Sequence, residues 1–437
     1  MSENRTKMTV TQLTLLTAIN MMGSGIVMLP TKLAQIGTIS ILSWLVTALG
    51  SICLAYAFAK CGMFSKKPGM GGYAEYAFGK AGNFMANYTY GVSLLFANIA
   101  IAITAVGYGT EFLNVKLDPI GVCLATIAVL WVCTAANFAG ASITGKISSF
   151  GVYCVVTPVL ILSVIGWFWF SPTMYISSWN PHNEPFFTAV GASISMTLWA
   201  FLGLESACAN SDAIDNPEKN VPIAVMAATV GVAVIYIVST NIIQGIVPNA
   251  DLVNSNAPFG LVFTMMFNST IGKVVCFLLV CSCCASTLGW QFTIAKVFQQ
   301  SAEDGFFPRI FAKVNKWKAP VAGMILITAV QTGFCLMTAS PALFKQFNVL
   351  VDIAVVTNIM PYILSMAAVT VIMKKANVPA NSTRVYAFFA LIGAVYSFYA
   401  LYSTGTMEVF YGSIITFLGW TFWGFVAPRF YNKTDAA

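Results

Sequence analysis

Met22-Gly23-Ser24-Gly25-Ile26 sets three small residues in the middle of an apolar run, and Trp199-Ala200-Phe201-Leu202-Gly203-Leu204-Glu205-Ser206 puts a glycine and a carboxylate in the middle of another. The two runs stand five predicted helices apart. An odd offset places the breaks in helices of opposite direction, as an inverted-topology repeat of five plus five helices requires. Unwinding at such a point exposes backbone N–H and C=O groups that lipid cannot satisfy and a polar ligand can. The negative end of one half-helix and the positive end of the other would suit the ammonium and carboxylate of an amino acid zwitterion. Glycines that only let helices approach closely are the competing reading. The match between the two runs favours a binding site at Gly23, Ser24, Gly25 and Gly203.

Outward from these breaks, the whole chain reads as an all-α integral membrane protein. Of its 437 residues 58% are hydrophobic and 8% charged, and the mean hydropathy is +0.79. Apolar runs of about 20 residues recur, the length that crosses roughly 30 Å of hydrocarbon. About twelve transmembrane helices are expected, near 9–36, 38–60, 82–113, 119–138, 146–170, 187–216, 221–247, 258–298 (a short amphipathic piece, then the span), 319–339, 347–373, 384–404 and 409–427. They form a single domain over 1–437, with repeats at roughly 9–170 and 187–373 and two further helices at 384–427. The first run continues past Met28 without a small-x-small cleavage site and is expected to remain as a span. Of the 22 Lys and Arg, all but Lys32, Lys116, Lys273 and Lys345 fall on the side of the two ends, which places both termini in the cytoplasm. The net charge of +7 follows from that topology and calls for no nucleic-acid partner.

Glu205 is the one carboxylate expected near the bilayer centre, since Asp352 lies toward one end of its helix. A centred acid costs roughly 2.5 to 3.5 kcal/mol on insertion scales, so a partner must offset it. No Lys or Arg is expected at that depth, and the partner is read as a cationic ligand; a protonated Glu205 bonded to a neighbouring helix is the plainer alternative. Trp199 and Trp290 lie deep enough to hold an ammonium by cation–π attraction. Asn98 is a further pocket candidate, although a packing hydrogen bond would explain it as well. Tyr90, Cys208, Cys283, Cys284 and Trp423 are weaker candidates for a gate or pathway.

Other function classes lack their chemistry. The single histidine, His182, lies in a loop, no metal-ligand cluster or carboxylate pair stands out, and the 11 cysteines are scattered through apolar runs as small packing residues. No enzyme, metal site or cofactor is expected. A channel would show a ring of repeated polar residues, and none is found.

The motifs around both breaks, with Asp304-Gly305-Phe306-Phe307-Pro308, Gly71-Gly72-Tyr73-Ala74-Glu75-Tyr76-Ala77-Phe78-Gly79-Lys80 and Phe347-Asn348-Val349-Leu350-Val351, resemble the amino acid, polyamine and organocation superfamily, in its basic amino acid/polyamine antiporter branch. The likeness runs from Thr11 to Arg429. It implies a leucine-transporter-like fold, a bacterial inner membrane location and exchange of putrescine for ornithine, with lysine/cadaverine or arginine/agmatine as alternative pairs and proton-coupled uptake as another mode. The partners are then these small molecules, membrane lipid and, as one option, a second copy of the chain. The resemblance also implies that the first break binds the amino acid's α-groups, that Asn98 lines the pocket, that Trp199 and Trp290 flank the cation and that Glu205 holds the distal amine. Gln299, Phe306 and Trp423 depart from the Lys, Tyr and Tyr of the putrescine-exchanging pattern, which bears on selectivity and on the cytoplasmic path.

Overall fold

The computed structural model describes residues 9–22, 24–67, 69–205, 216–337 and 343–430. Gly23 and Cys208 lie outside the described residues, and of Ser24 only the backbone is described. The chain opens with α1 (Val10–Met21), whose start is fixed by a reciprocal cap: the Thr9 hydroxyl accepts from the Gln12 amide at 3.2 Å while the Gln12 side chain accepts from the Thr9 amide at 2.9 Å. A short 3-10 turn, Ser24–Ile26, leads into α2 (Leu29–Ile36). There follow α3 (Ser40–Phe64), α4 (Gly69–Leu113), α5 (Pro119–Asn137) and α6 (Ala141–Ile165). The small α7 (Pro172–Ser177) precedes two short pieces, α8 (Phe186–Gly191) and α9 (Ile194–Ala200). Then come α10 (Pro217–Ile246), α11 (Asn249–Leu252), α12 (Pro258–Met266), α13 (Ser269–Glu303) and α14 (Val321–Met337). The chain closes with α15 (Leu343–Lys375), α16 (Ala380–Tyr402) and α17 (Thr406–Val426).

Among the described residues, nine helices are long and apolar enough to cross a membrane. Twelve were expected; the difference has a physical cause in each case. The first expected span is interrupted between α1 and α2, the sixth is broken at Ala192–Ser193 and again after Ala200, and α14 is one turn short of a typical span. Two boundaries move as well. The third expected span begins earlier, at Gly69, but Gly79 at φ 61° kinks it, so the first segment, 69–78, stands apart from the crossing helix. The fifth begins at Ala141, just after Gly140 turns the chain at φ 88°.

The core follows from side-chain character. α4 runs through the centre, lined with buried Phe96, Ala97, Ile99, Ala100, Ile103 and Tyr108, an apolar surface on every side as a fully enclosed helix demands. It packs most extensively against α15 and α13. Hydroxyls and amides join the helices across this core, among them Ser93 to the Ala354 carbonyl at 2.7 Å, Ser43 to the Val190 carbonyl at 2.6 Å and Asn137 to the Leu288 carbonyl at 2.8 Å. In contrast, α17 turns Phe410, Phe417, Trp420 and Phe425 outward.

The bundle has two chemically different ends. At one, Lys375 lies over the Tyr76 ring, Lys60 over Tyr386, Lys80 over Phe306 and Phe430, and Arg429 donates to the Gly305 carbonyl. At the other, the α2–α3 link pairs with α7 through Thr38 and Ile39, and Asn249 donates to the Ala34 carbonyl. The former is called the basic end below.

Candidate functional site

The two interruptions lie side by side. Tyr236 of α10 reaches both: its hydroxyl stands 2.8 Å from the Met21 carbonyl and 3.2 Å from the Ala200 carbonyl. These are carbonyls that helix ends leave without an intrahelical donor. Beyond the first break, the Tyr108 hydroxyl donates to the Val27 carbonyl at 2.9 Å and accepts from the Phe259 amide at 3.2 Å. A methyl group added at Gly25 would touch Ala200 and Trp199, so the first break passes directly against the end of α9.

After α9 the chain turns through Phe201–Leu204, and Gly203 adopts φ 107°, a conformation that side chains resist. That turn folds Glu205 back on its own backbone, where the Gly203 amide donates to Oε2 at 3.1 Å. Tyr90 of α4 donates to Oε1 at 3.0 Å and Tyr362 of α15 to Oε2 at 2.8 Å. Glu205 is 8% exposed and is the one charged side chain among the buried described residues. Among the described residues no Lys or Arg pairs with it, and three neutral donors from the protein hold it. They stabilise the negative charge without cancelling it, because a hydroxyl or amide brings a partial dipole and no net charge.

Trp199 is buried at 5% exposure beside this turn, edge-on to Phe347 with ring centroids 5.4 Å apart. Trp290 is half-buried and lines a cavity of about 500 Å³ between α6 and α13 together with Tyr90, Ser148, Ser282 and Gly289. Tyr90 touches both this cavity and the carboxylate, so it acts as the wall between them.

Other candidates fall elsewhere. Asn98 is buried in a chain of amides and hydroxyls across four helices: it donates to Gln291 at 2.7 Å, Gln291 to Thr328 at 2.7 Å and to Gln331 at 2.9 Å, and Thr328 pairs with Thr134. Its amide nitrogen thus serves packing, the alternative that its sequence left open. Cys283 is fully buried, and the Cys284 carbonyl accepts from the Cys133 thiol at 3.4 Å; both are placed by the packing of α13 against its neighbours. Trp423 lies at the basic end, stacked on Phe430 and close to Phe84 and Phe306. Gln299 is near the same end, accepting from Lys296 and donating to Glu303, each at 2.8 Å. Tyr362 and Tyr236 were not anticipated.

Nine apolar crossing helices around an interior carboxylate and two interrupted helices define a multi-pass membrane permease. The family model described as Amino acid permease matches residues 8–426, and the chain belongs to that family. It is similar to the Putrescine transporter PotE of Escherichia coli strain K12, with 67% identity over 428 residues, 98% of each chain. Its similarity to Putrescine transporter PotE of Haemophilus influenzae is 64% over 431 residues, 98% of this chain and 99% of the relative. The Cadaverine/lysine antiporter of Escherichia coli strain K12 is 31% identical over 353 residues, 79% of each chain. These relatives are transporters, not enzymes.

Proposed function

We propose that the chain is a secondary active transporter that exchanges putrescine for ornithine across a bacterial inner membrane. The observation that carries this reading is Glu205, a buried carboxylate bonded among the described residues to neutral donors beside two interrupted helices. Moving such a charge through a closed, dry intermediate is costly, and a bound cation offsets that cost. An empty carrier then reorients slowly and a loaded one fast, the kinetic signature of exchange. The side-chain ammonium of ornithine or one end of putrescine would pair with the Glu205 carboxylate. The α-groups of ornithine would meet the backbone of the first break, at Ser24 and Gly25, with Trp199 and Trp290 beside the cargo. The relatives at 64% and 67% identity, named as putrescine transporters, support the diamine.

The finer architecture belongs to the same reading. The interrupted pair α1–α2, the pair α8–α9 and α14 would each cross the membrane, giving twelve spans with inverted repeats near 9–170 and 187–373. The adjacency of the two breaks at Tyr236 supports that pairing. With the basic end toward the cytoplasm, both termini lie inside. Protonation would also neutralise Glu205, so proton-coupled putrescine uptake is available to the same site.

A second reading, lysine/cadaverine exchange, is favoured by the 31% identical antiporter. One methylene separates the two diamines, worth about 1 to 3 kcal/mol in a pocket. Proteoliposomes of the purified protein, given labelled putrescine outside, separate the readings. Uptake that depends on internal ornithine or putrescine supports the first; uptake driven best by internal lysine or cadaverine supports the second. Equal uptake into vesicles holding buffer alone under an imposed proton gradient makes the protein a symporter.

A further inference from the structure

We propose that Asp352 and Ser195 form a second cation station on the route to Glu205 from the end opposite the basic one, and that a cation arriving there loosens α9 by taking Asp352 from Ser195. The inference rests on the cation-transport reading above and adds a site to it.

Asp352 lies on α15, three turns before Tyr362, which places it about 15 Å nearer the opposite end at 1.5 Å per residue. Ser195 lies on α9, one turn before Trp199. The Ser195 hydroxyl donates to Asp352 Oδ1 at 2.7 Å. Earlier along α15, Phe347 meets Trp199. A hydrogen bond and an aromatic edge are thus among the contacts between the half-helix that carries Trp199 and the helix that carries Tyr362, while Thr197 ties the same half-helix to Thr47 of α3.

Asp352 differs from its partner in exposure. Ser195 is 4% exposed, whereas Asp352 is half-buried. Among the described residues no Lys or Arg forms an ion pair with it. The charged groups that act on it are Lys32 of α2, which attracts it, and Glu408 of α17, which repels it. A carboxylate with one neutral donor has acceptor sites to spare. An ammonium with three donors is a stronger partner than a hydroxyl and competes with Ser195 for the same oxygens. When it wins, α9 loses its Ser195 tie to α15 and stays held by the Trp199–Phe347 edge and by Thr197, whose hydroxyl pairs with that of Thr47 of α3 at 2.6 Å. The ligand class is an organic ammonium, and the chain supplies two carboxylates in series, Asp352 then Glu205.

The test is sided. Labelled putrescine is supplied to right-side-out and to inside-out membrane vesicles, and KM is measured in each. Asp352→Asn keeps an oxygen for the Ser195 hydroxyl and removes the charge. It is expected to raise KM at least fivefold in right-side-out vesicles and less than twofold in inside-out ones, with Asp352→Glu restoring the wild-type value. Ser195→Ala, which keeps the charge and cuts the tie, is expected to raise efflux without counter-substrate at least twofold, and it stands in if the Asn variant fails to insert. An unchanged or symmetric KM in Asp352→Asn, or unaltered efflux in Ser195→Ala, overturns this inference while leaving the exchange reading intact. Wild-type vesicles that exchange no diamine overturn the exchange reading itself, and this inference with it.

Discussion

Two carboxylates in this protein, one buried and one partly exposed, are differently partnered. Among the described residues Glu205 meets hydroxyls and an amide, whereas Glu75, in the segment ahead of the Gly79 kink and outside the crossing helix, is clamped by Lys67 at 2.8 Å, Lys80 at 3.0 Å and Asn83 at 2.8 Å. Burial pushes the Glu75 carboxyl up, but the hydrogen bonds from Lys67, Asn83 and Lys80 outweigh it and hold the group at about 2. The lysines neutralise Glu75 permanently. Among the described residues no Lys or Arg pairs with Glu205. The contrast separates a carboxylate that ties loops together from one that is ready for a cation.

The largest effect should come from Glu205→Gln, which removes the charge but keeps the shape. Diamine affinity, measured by calorimetry on purified protein, is expected to fall more than about 100-fold, in line with roughly 3 to 5 kcal/mol for stripping a buried charge of its partner. Wild-type affinity in this variant would dissolve the contrast. Tyr362→Phe comes next. Losing one hydrogen bond to a charged group costs about 1.5 to 3 kcal/mol, so exchange in proteoliposomes should drop about tenfold or more with the protein still folded. Trp290→Ala should weaken putrescine binding by about two- to thirtyfold, the range expected for cation–π contacts of roughly 0.5 to 2 kcal/mol. The smallest effect on cargo belongs to Glu75→Gln, which should leave diamine affinity within about twofold and act on stability instead. A carboxyl held below its ordinary 4.5 contributes stability that is fully present above that pH and is lost as pH falls through about 2. Thermal melts of wild type and variant should therefore differ at pH 6 and converge toward pH 2. A large loss of affinity in Glu75→Gln would show that the two carboxylates are not separate in role.

How far the sequence carried this picture depends on distance along the chain. The breaks were visible because a glycine inside an apolar run is a local signal, and Glu205 because a carboxylate in such a run is rare. Tyr362 stands 157 residues from Glu205 and is one of 16 tyrosines, most of which sit in helices where a phenol is unremarkable. Nothing in its neighbours marks it until α4 and α15 pack together. Tyr90 was noticed as a polar group on an apolar helix, yet its role as a direct donor to Glu205 needed the same packing. The expected breaks divide two of the twelve expected spans into shorter pieces and α14 is one turn short, which is why nine long apolar helices stand among the described residues. Asn98 shows the converse. Its polarity was read correctly, while its amide nitrogen turned out to be held by Gln291, a residue chosen by the geometry of α13 rather than by any motif.

The hydroxyl of Tyr236 carries one proton and faces two carbonyls, those of Met21 and Ala200. Whichever of the two helix ends draws nearer takes the larger share of that proton, and the other makes do with less. Two structural elements far apart in the chain thus share one donor at the place where both are interrupted and where Gly25 passes against the end of α9.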